Sequence, residues 1–153
     1  MGTLYDWLLF AHVLAAMVWV GGLVMLVAVG TRTRRSGDPD AIARFVRSLR
    51  VLGPAVLAPA ALTLLAFGIW MVADSVAWNF GQSWVGVGLA LLIASVLVGA
   101  VFLGRTGIAA ELAVEAGDHR EAARQLGRWA WGIGVILLLL VAATWDMVVK
   151  PGM

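Results

Sequence analysis

The chain has 153 residues, of which 62% are hydrophobic and only 13% are charged. Soluble domains average ~25% charged residues, so this composition excludes a soluble globular protein and indicates one embedded in lipid. Cysteine is absent, which excludes disulfides, thiolate metal ligands and cysteine nucleophiles. The net charge of +2 comes from arginines beside hydrophobic stretches, a placement that indicates membrane orientation and not nucleic-acid binding.

Four long stretches contain no Asp, Glu, Lys or Arg. The hydrocarbon core of a bilayer is ~30 Å thick and needs ~20 apolar helical residues to cross it. Because lipid offers the backbone no hydrogen bonds, such stretches must be helical. The sequence therefore predicts an all-α polytopic membrane protein, with four transmembrane helices in an antiparallel bundle that forms a single domain over 1–153. The uncharged stretches are Trp7–Thr31, Val51–Ala73, Ser75–Gly104 and Trp129–Trp145.

The distribution of cationic side chains predicts the orientation of the bundle. Ten of the eleven Lys and Arg residues fall in the two longer linkers, and Lys150 is the eleventh. The positive-inside rule places these linkers in the cytoplasm and both termini outside, an N-out/C-out topology in the bacterial inner membrane. The predicted spans are about 4–30, 54–73, 83–104 and 129–149, and the predicted cytoplasmic linkers are 31–53 and 105–128.

The first linker carries a helix-start pattern. Asp38-Pro39-Asp40 supplies a capping carboxylate, a proline at the first helical position and an acid at the positive end of the helix dipole. The residues that follow predict an amphipathic helix for the membrane surface or a neighbouring helix. Gly53-Pro54 predicts a kink at the entrance to the second span. The apolar stripe of the amphipathic helix is Ile42, Phe45, Val46 and Leu49.

The second half of the chain has similar signals. A short external loop over 74–82 joins spans two and three, and span three is predicted to continue as a helix to Ala116. Gly117 is a helix-stop residue, and Asp118 is the predicted cap of the helix that leads into span four.

His12 is the polar side chain that carries the most functional information. It lies ~12 Å below the outer end of span one at 1.5 Å per residue. An ionisable group at such depth indicates a functional site, and imidazole can ligate haem iron, copper or zinc, or relay a proton. The alternative is a neutral histidine hydrogen-bonded to a backbone carbonyl, or to the hydroxyl of Thr63 or Thr144.

Methionine thioethers are expected near His12. Met71 and Met147 fall at the outer boundary of the predicted bundle, and Met17 lies just over a helical turn beneath His12. Thioether and imidazole together form a soft ligand set that suits copper, especially Cu(I). Methionine also commonly fills gaps between packed helices, so both interpretations stay open.

Three carboxylates are predicted at the outer boundary. They are expected either to concentrate cations around an outer mouth or to be solvated ends of helices. These residues are Asp6, Asp74 and Asp146.

Haem b is the second candidate cofactor. His119 is predicted to be cytoplasmic, so a bis-histidine site within one chain is excluded. Haem would need His12 together with a methionine, with a histidine of another subunit, or with no second protein ligand. Trp19 lies on nearly the same helical face as His12, where it could wall a cofactor or simply pack.

The stretch from His12 to Gly22 resembles the first-helix signature of the CopD-like membrane proteins. In that signature a histidine precedes by seven positions a tryptophan that is followed by a glycine pair, here His12, Trp19 and Gly21-Gly22. The resemblance implies a role in copper import or handling, with His12 as the residue carried over. HemJ-type protoporphyrinogen oxidases, which bind haem, look distantly similar, but their intramembrane lysine has no counterpart before Lys150.

These observations predict a non-enzymatic integral membrane protein of the CopD-like group that binds copper or haem through His12 near the outer face. The alternative is a structural accessory subunit of a larger membrane complex with no cofactor of its own. A redox enzyme is the least supported class, because no second cofactor ligand or substrate base is visible. The expected partners are the lipid bilayer and either further copies of the chain or a larger membrane complex, and no nucleic acid.

Overall fold

A computed structural model describes residues 3–151, and the regular structure in this range is entirely helical. Each of the four continuous helices is long and apolar enough to cross a membrane. The predicted all-α fold with four membrane-spanning helices is therefore confirmed. The helices are α1 (Leu4–Ser36), α2 (Pro39–Asp74), α3 (Ser83–Glu115) and α4 (His119–Val149).

The helix ends follow the capping signals in the sequence. Asp38 accepts a hydrogen bond from the Asp40 N–H at 2.9 Å and begins α2. Asp118 accepts one from the Glu121 N–H at 2.9 Å and begins α4. Gly117, with φ +73°, adopts the left-handed conformation that glycine tolerates between two helices. The helices extend beyond the hydrophobic runs because backbone hydrogen bonding continues into the polar linkers.

Two helices contain a π-helical segment inside an otherwise α-helical path. In α2 this segment is Gly53–Leu57, and in α3 it is Val98–Leu103. Pro54 has no N–H to donate to the preceding turn, which accounts for the irregularity in α2. The predicted disturbance at Gly53-Pro54 is thus a π segment within one continuous helix. It joins the amphipathic segment Pro39–Leu52, here called the arm, to the second span.

The four helices are arranged as two pairs. α1 packs along α2, and α3 packs along α4. The pairs meet mainly where α1 contacts α4, whereas the spanning segments of α2 and α3 hardly touch. The bundle is therefore well packed along α1 and α4 and loosely packed between α2 and α3. The end with both chain termini is called the terminal end below, and the opposite end the arginine end.

The arm connects the two pairs at the arginine end. Its apolar residues Ile42, Phe45 and Val46 are buried. The Phe45 ring lies edge-to-face on Trp129 of α4, with centroids 6.1 Å apart. Arg50 donates to Glu111 of α3 at 2.9 Å. The amphipathic pattern of the arm is explained by packing on neighbouring helices.

Candidate functional site: a cavity at His12

Two cavities lie between the helix pairs, on the side where α2 and α3 diverge. The cavity at the terminal end, called the His12 cavity, has a volume of about 530 Å³ and is lined by all four helices and the loop between α2 and α3. The cavity at the arginine end, called the Trp19 cavity, has a volume of about 520 Å³. Ligand sites in proteins typically measure ~300–1,000 Å³, so each cavity is large enough for an organic ligand.

His12 is held in one orientation by the backbone of the neighbouring helix. Its Nδ1 lies 2.9 Å from the carbonyl oxygen of Leu64 in α2. Because a carbonyl only accepts hydrogen bonds, Nδ1 carries the proton and donates it. In the neutral ring Nε2 then keeps its lone pair, and it makes no hydrogen bond within residues 3–151. Histidines that ligate metals are oriented by the same kind of contact through their second nitrogen.

Gly68 makes room for this contact. A Cβ atom at Gly68 would lie 3.1 Å from His12 Cε1, closer than side chains normally approach, and 3.4 Å from Nδ1. Gly68 is one helical turn beyond Leu64, so the same face of α2 supplies both the acceptor carbonyl and the space for the ring. The imidazole position is thus built into α2 as well as α1.

The structure brings the predicted methionines to the same cavity as His12. Met17, Met71 and Met147 all line the His12 cavity. Met17 is 65% exposed, whereas Met71 and Met147 are half-buried. The predicted residue set thus borders one space, contributed by α1, α2 and α4.

Trp19 lies elsewhere. It is 4% exposed and lines the cavity at the arginine end, not the His12 cavity. Trp19 follows His12 by seven residues on α1. It therefore lies on nearly the same helical face, but ~10 Å further along the helix axis. The sequence predicts the shared helical face of His12 and Trp19. Their difference in depth places them at two different cavities.

The three predicted outer carboxylates have different surroundings. Asp6 Oδ2 accepts hydrogen bonds from the N–H and the hydroxyl of Thr3 at 2.7 and 2.9 Å, which closes a capping box at the start of α1. Asp74 is exposed at the end of α2. Asp146 is only 2% exposed, and its Oδ2 has no hydrogen-bond partner within residues 3–151. It lies against α3, where a Cβ at Gly88 would be 3.2 Å from Oδ2.

The burial of Asp146 is the feature of this region that sequence reasoning missed. Its position near the end of a span predicts an exposed carboxylate, either one that concentrates cations at an outer mouth or a solvated helix end. Only the rotation of α4 against α3 turns it inward, and Gly88 provides the space that it occupies. The sequence does contain a signal for this burial, because Gly88 of α3 can face Asp146 of α4. That signal can be used only when α3 and α4 are known to pack together.

Aromatic rings and one cation form the rim of the His12 cavity at the terminal end. Trp78 and Trp84 pack edge-to-face with centroids 5.3 Å apart, and Trp84 Nε1 is buried without a partner within the described range. The Lys150 ammonium lies 3.9 Å from the centroid of the Trp78 ring. This distance is typical of a cation–π contact. All three side chains line the cavity, so its rim is aromatic and positively charged.

The fold and the cavity define a multi-pass integral membrane protein with a largely apolar cavity that is lined by one oriented imidazole. The chain belongs to the family described as predicted integral membrane protein (DUF2269), whose model matches residues 6–151. No curated protein and no solved structure matches it.

Proposed function

We propose that the protein is a non-enzymatic component of the bacterial inner membrane, of the CopD-like group, that binds haem b through His12. The observation that supports this function is the hydrogen bond from His12 Nδ1 to the Leu64 carbonyl, which leaves Nε2 available on a side chain that lines the cavity. A neutral imidazole with its second nitrogen fixed by a carbonyl is a suitable axial ligand for haem iron.

The size and walls of the His12 cavity favour haem over a bare copper ion. About 530 Å³ of largely apolar space suits a flat hydrophobic macrocycle. A copper ion fills far less volume and requires several donor atoms to converge on one point. Leu65, Leu89 and Leu92 are among the wall residues that would contact the faces and edges of a macrocycle.

The charge at the rim also suits haem. Haem b has two carboxylate side chains on one edge of an otherwise apolar ring. Lys150 places an ammonium group at the rim of the cavity, and Tyr5 lines the same cavity near the N-terminal end of α1. A cation at the aqueous end of an apolar cavity complements this distribution of charge. With the termini outside, the carboxylates would face the outer surface.

A His12→Ala variant tests the proposal. Protein purified from its native membrane, or loaded with hemin in detergent, should show a Soret band that is abolished in His12→Ala, because the iron loses its protein ligand. His119→Ala is the matched control, since His119 is exposed at the start of α4 in the arginine-end linker and should leave the spectrum unchanged. The measurement is the haem-to-protein ratio from the pyridine haemochrome.

Other results would reject haem binding. Wild-type protein without haem but with stoichiometric copper that depends on His12 would assign the cavity to copper. Wild-type protein with neither cofactor, recovered with larger membrane partners, would support the accessory-subunit alternative. An unchanged spectrum in His12→Ala would place any bound haem elsewhere.

A further inference from the structure

The helix pairing separates the sulfur atoms around the His12 cavity into two groups. His12, Met17 and Met71 all lie on the α1–α2 pair of helices. Met147 belongs to the α3–α4 pair. Among residues 3–151 it is the one methionine that lines the cavity from the opposite wall.

Two axial ligands of a haem must approach the iron from opposite faces of the ring. A macrocycle held between the two helix pairs would have His12 on one face and the α3–α4 pair on the other. We propose that Met147 is the second axial ligand, opposite His12; this inference rests on the proposed function and specifies its coordination. Histidine and methionine together form an established haem ligand set.

Met147 packs on α3 at the α3–α4 wall of the cavity. A Cβ atom at Gly88 would lie 3.2 Å from Met147 Cε and 3.7 Å from Cγ, so α3 leaves space for the thioether to lie against it. Gly68 on α2 does the same for the His12 ring.

The other two methionines are less suitable. Met17 follows His12 by five residues on α1, which at 100° per residue turns it well away from the direction of the imidazole. Its 65% exposure agrees with a side chain that mainly faces lipid. Met71 lies on α2, the helix whose Leu64 carbonyl holds His12, and so it approaches from the histidine side of the cavity.

A pair of leucine variants tests the assignment. Leucine keeps the volume and hydrophobicity of methionine but removes the sulfur. In haem-loaded protein, Met147→Leu should keep the wild-type haem-to-protein ratio and change ferric haem from six-coordinate low-spin to five-coordinate high-spin, seen in the visible spectrum and by electron paramagnetic resonance. Met71→Leu, on the opposite wall, is the matched control and should keep the low-spin spectrum.

A Met147→His variant provides a second readout. It should restore six-coordinate low-spin haem with a lower midpoint potential than the wild type, because methionine ligation raises the potential relative to histidine. The potential is measured by redox titration of the α-band.

The outcomes separate this inference from the proposed function. Wild-type protein without haem would reject the proposed function itself. Haem that depends on His12 but stays low-spin in Met147→Leu would retain the function and overturn the assignment of Met147. Loss of the low-spin signal in Met71→Leu alone would transfer the role to Met71.

Discussion

At the residue scale, the position of His12 depends on Gly68 of α2, which has no side chain and so leaves room for the imidazole ring. In Gly68→Ala, the new Cβ would lie 3.1 Å from His12 Cε1 and would displace the ring from the Leu64 carbonyl. We expect haem affinity to fall at least about tenfold, equivalent to ~1.4 kcal/mol. The measurement is hemin titration of the detergent-solubilised protein.

The control for this variant is Gly86→Ala. A Cβ at Gly86 meets no atom within 4 Å, so the substitution adds helix propensity without a clash. Its affinity for hemin should match the wild type. Equal affinities in all three proteins would show that ring placement does not depend on Gly68.

Individual residues differ in how far the sequence predicts their surroundings. His12 is recognisable because it is an ionisable side chain inside a hydrophobic run. A backbone carbonyl was one of the two partners expected for its ring, and the structure shows the Leu64 carbonyl in that place. The sequence does not show which carbonyl of which helix accepts this hydrogen bond. Thr144 in fact donates to the carbonyl of Leu140, one turn earlier in its own helix. Asp146 shows the same limit, since its burial depends on the rotation of α4.

At the scale of single elements, the arm provides a test of packing at the arginine end. Phe45 is buried between Trp129 and α1, where a Cβ at Gly30 would lie 2.9 Å from its ring. Phe45→Ala should destabilise the folded protein by about 3–5 kcal/mol, because it removes buried apolar contacts and leaves a cavity. Thermal unfolding in detergent, followed by circular dichroism, would measure the loss as a lower midpoint.

Arg47→Ala is the matched control for the arm. Arg47 lies two residues from Phe45 but is exposed. Surface substitutions usually change stability by less than about 0.5 kcal/mol, so its midpoint should stay near the wild type. Similar midpoints for both variants would mean that the arm does not contribute to the stability of the bundle.

The elements themselves were largely predictable, for identifiable reasons. Uncharged length identifies the spans, and the Asp38 and Asp118 caps identify the helix starts. The π segment at Gly53–Leu57 was expected only as a kink, because Pro54 indicates a lost hydrogen bond but not how the chain compensates. The π segment Val98–Leu103 contains no proline, so the sequence gives no indication of an irregularity in α3.

At the scale of the whole molecule, the distribution of arginines predicts which end faces the cytoplasm. The absence of native cysteine makes single-cysteine labelling direct. In intact cells Ala77→Cys, in the loop between α2 and α3, should react with a membrane-impermeant maleimide, whereas Ala116→Cys, between α3 and α4, should react only after lysis. Both positions are exposed, so access and not burial determines the result. The reverse pattern would invert the topology.

Helix pairing is the level that sequence could not predict. Each span is apolar on nearly all sides, because the lipid and the neighbouring helices that it contacts are equally apolar. Hydropathy therefore does not distinguish the packed side of a span from the lipid-facing side. The pattern therefore does not show that α1 packs with α2 and α3 with α4, or that α2 and α3 diverge. Both cavities follow from this arrangement.

The divergence of α2 and α3 has a consequence for molecules that reach the interior. The loop carrying Trp78 and Phe80 covers the terminal end of the gap, and the arm crosses its arginine end, so the space left between these helices opens sideways, where acyl chains would lie in a bilayer. A molecule that enters between α2 and α3 must therefore be soluble in the hydrocarbon core of the bilayer. Amphiphiles already dissolved in the bilayer meet the gap by two-dimensional diffusion, whereas a hydrated ion must first shed its water shell.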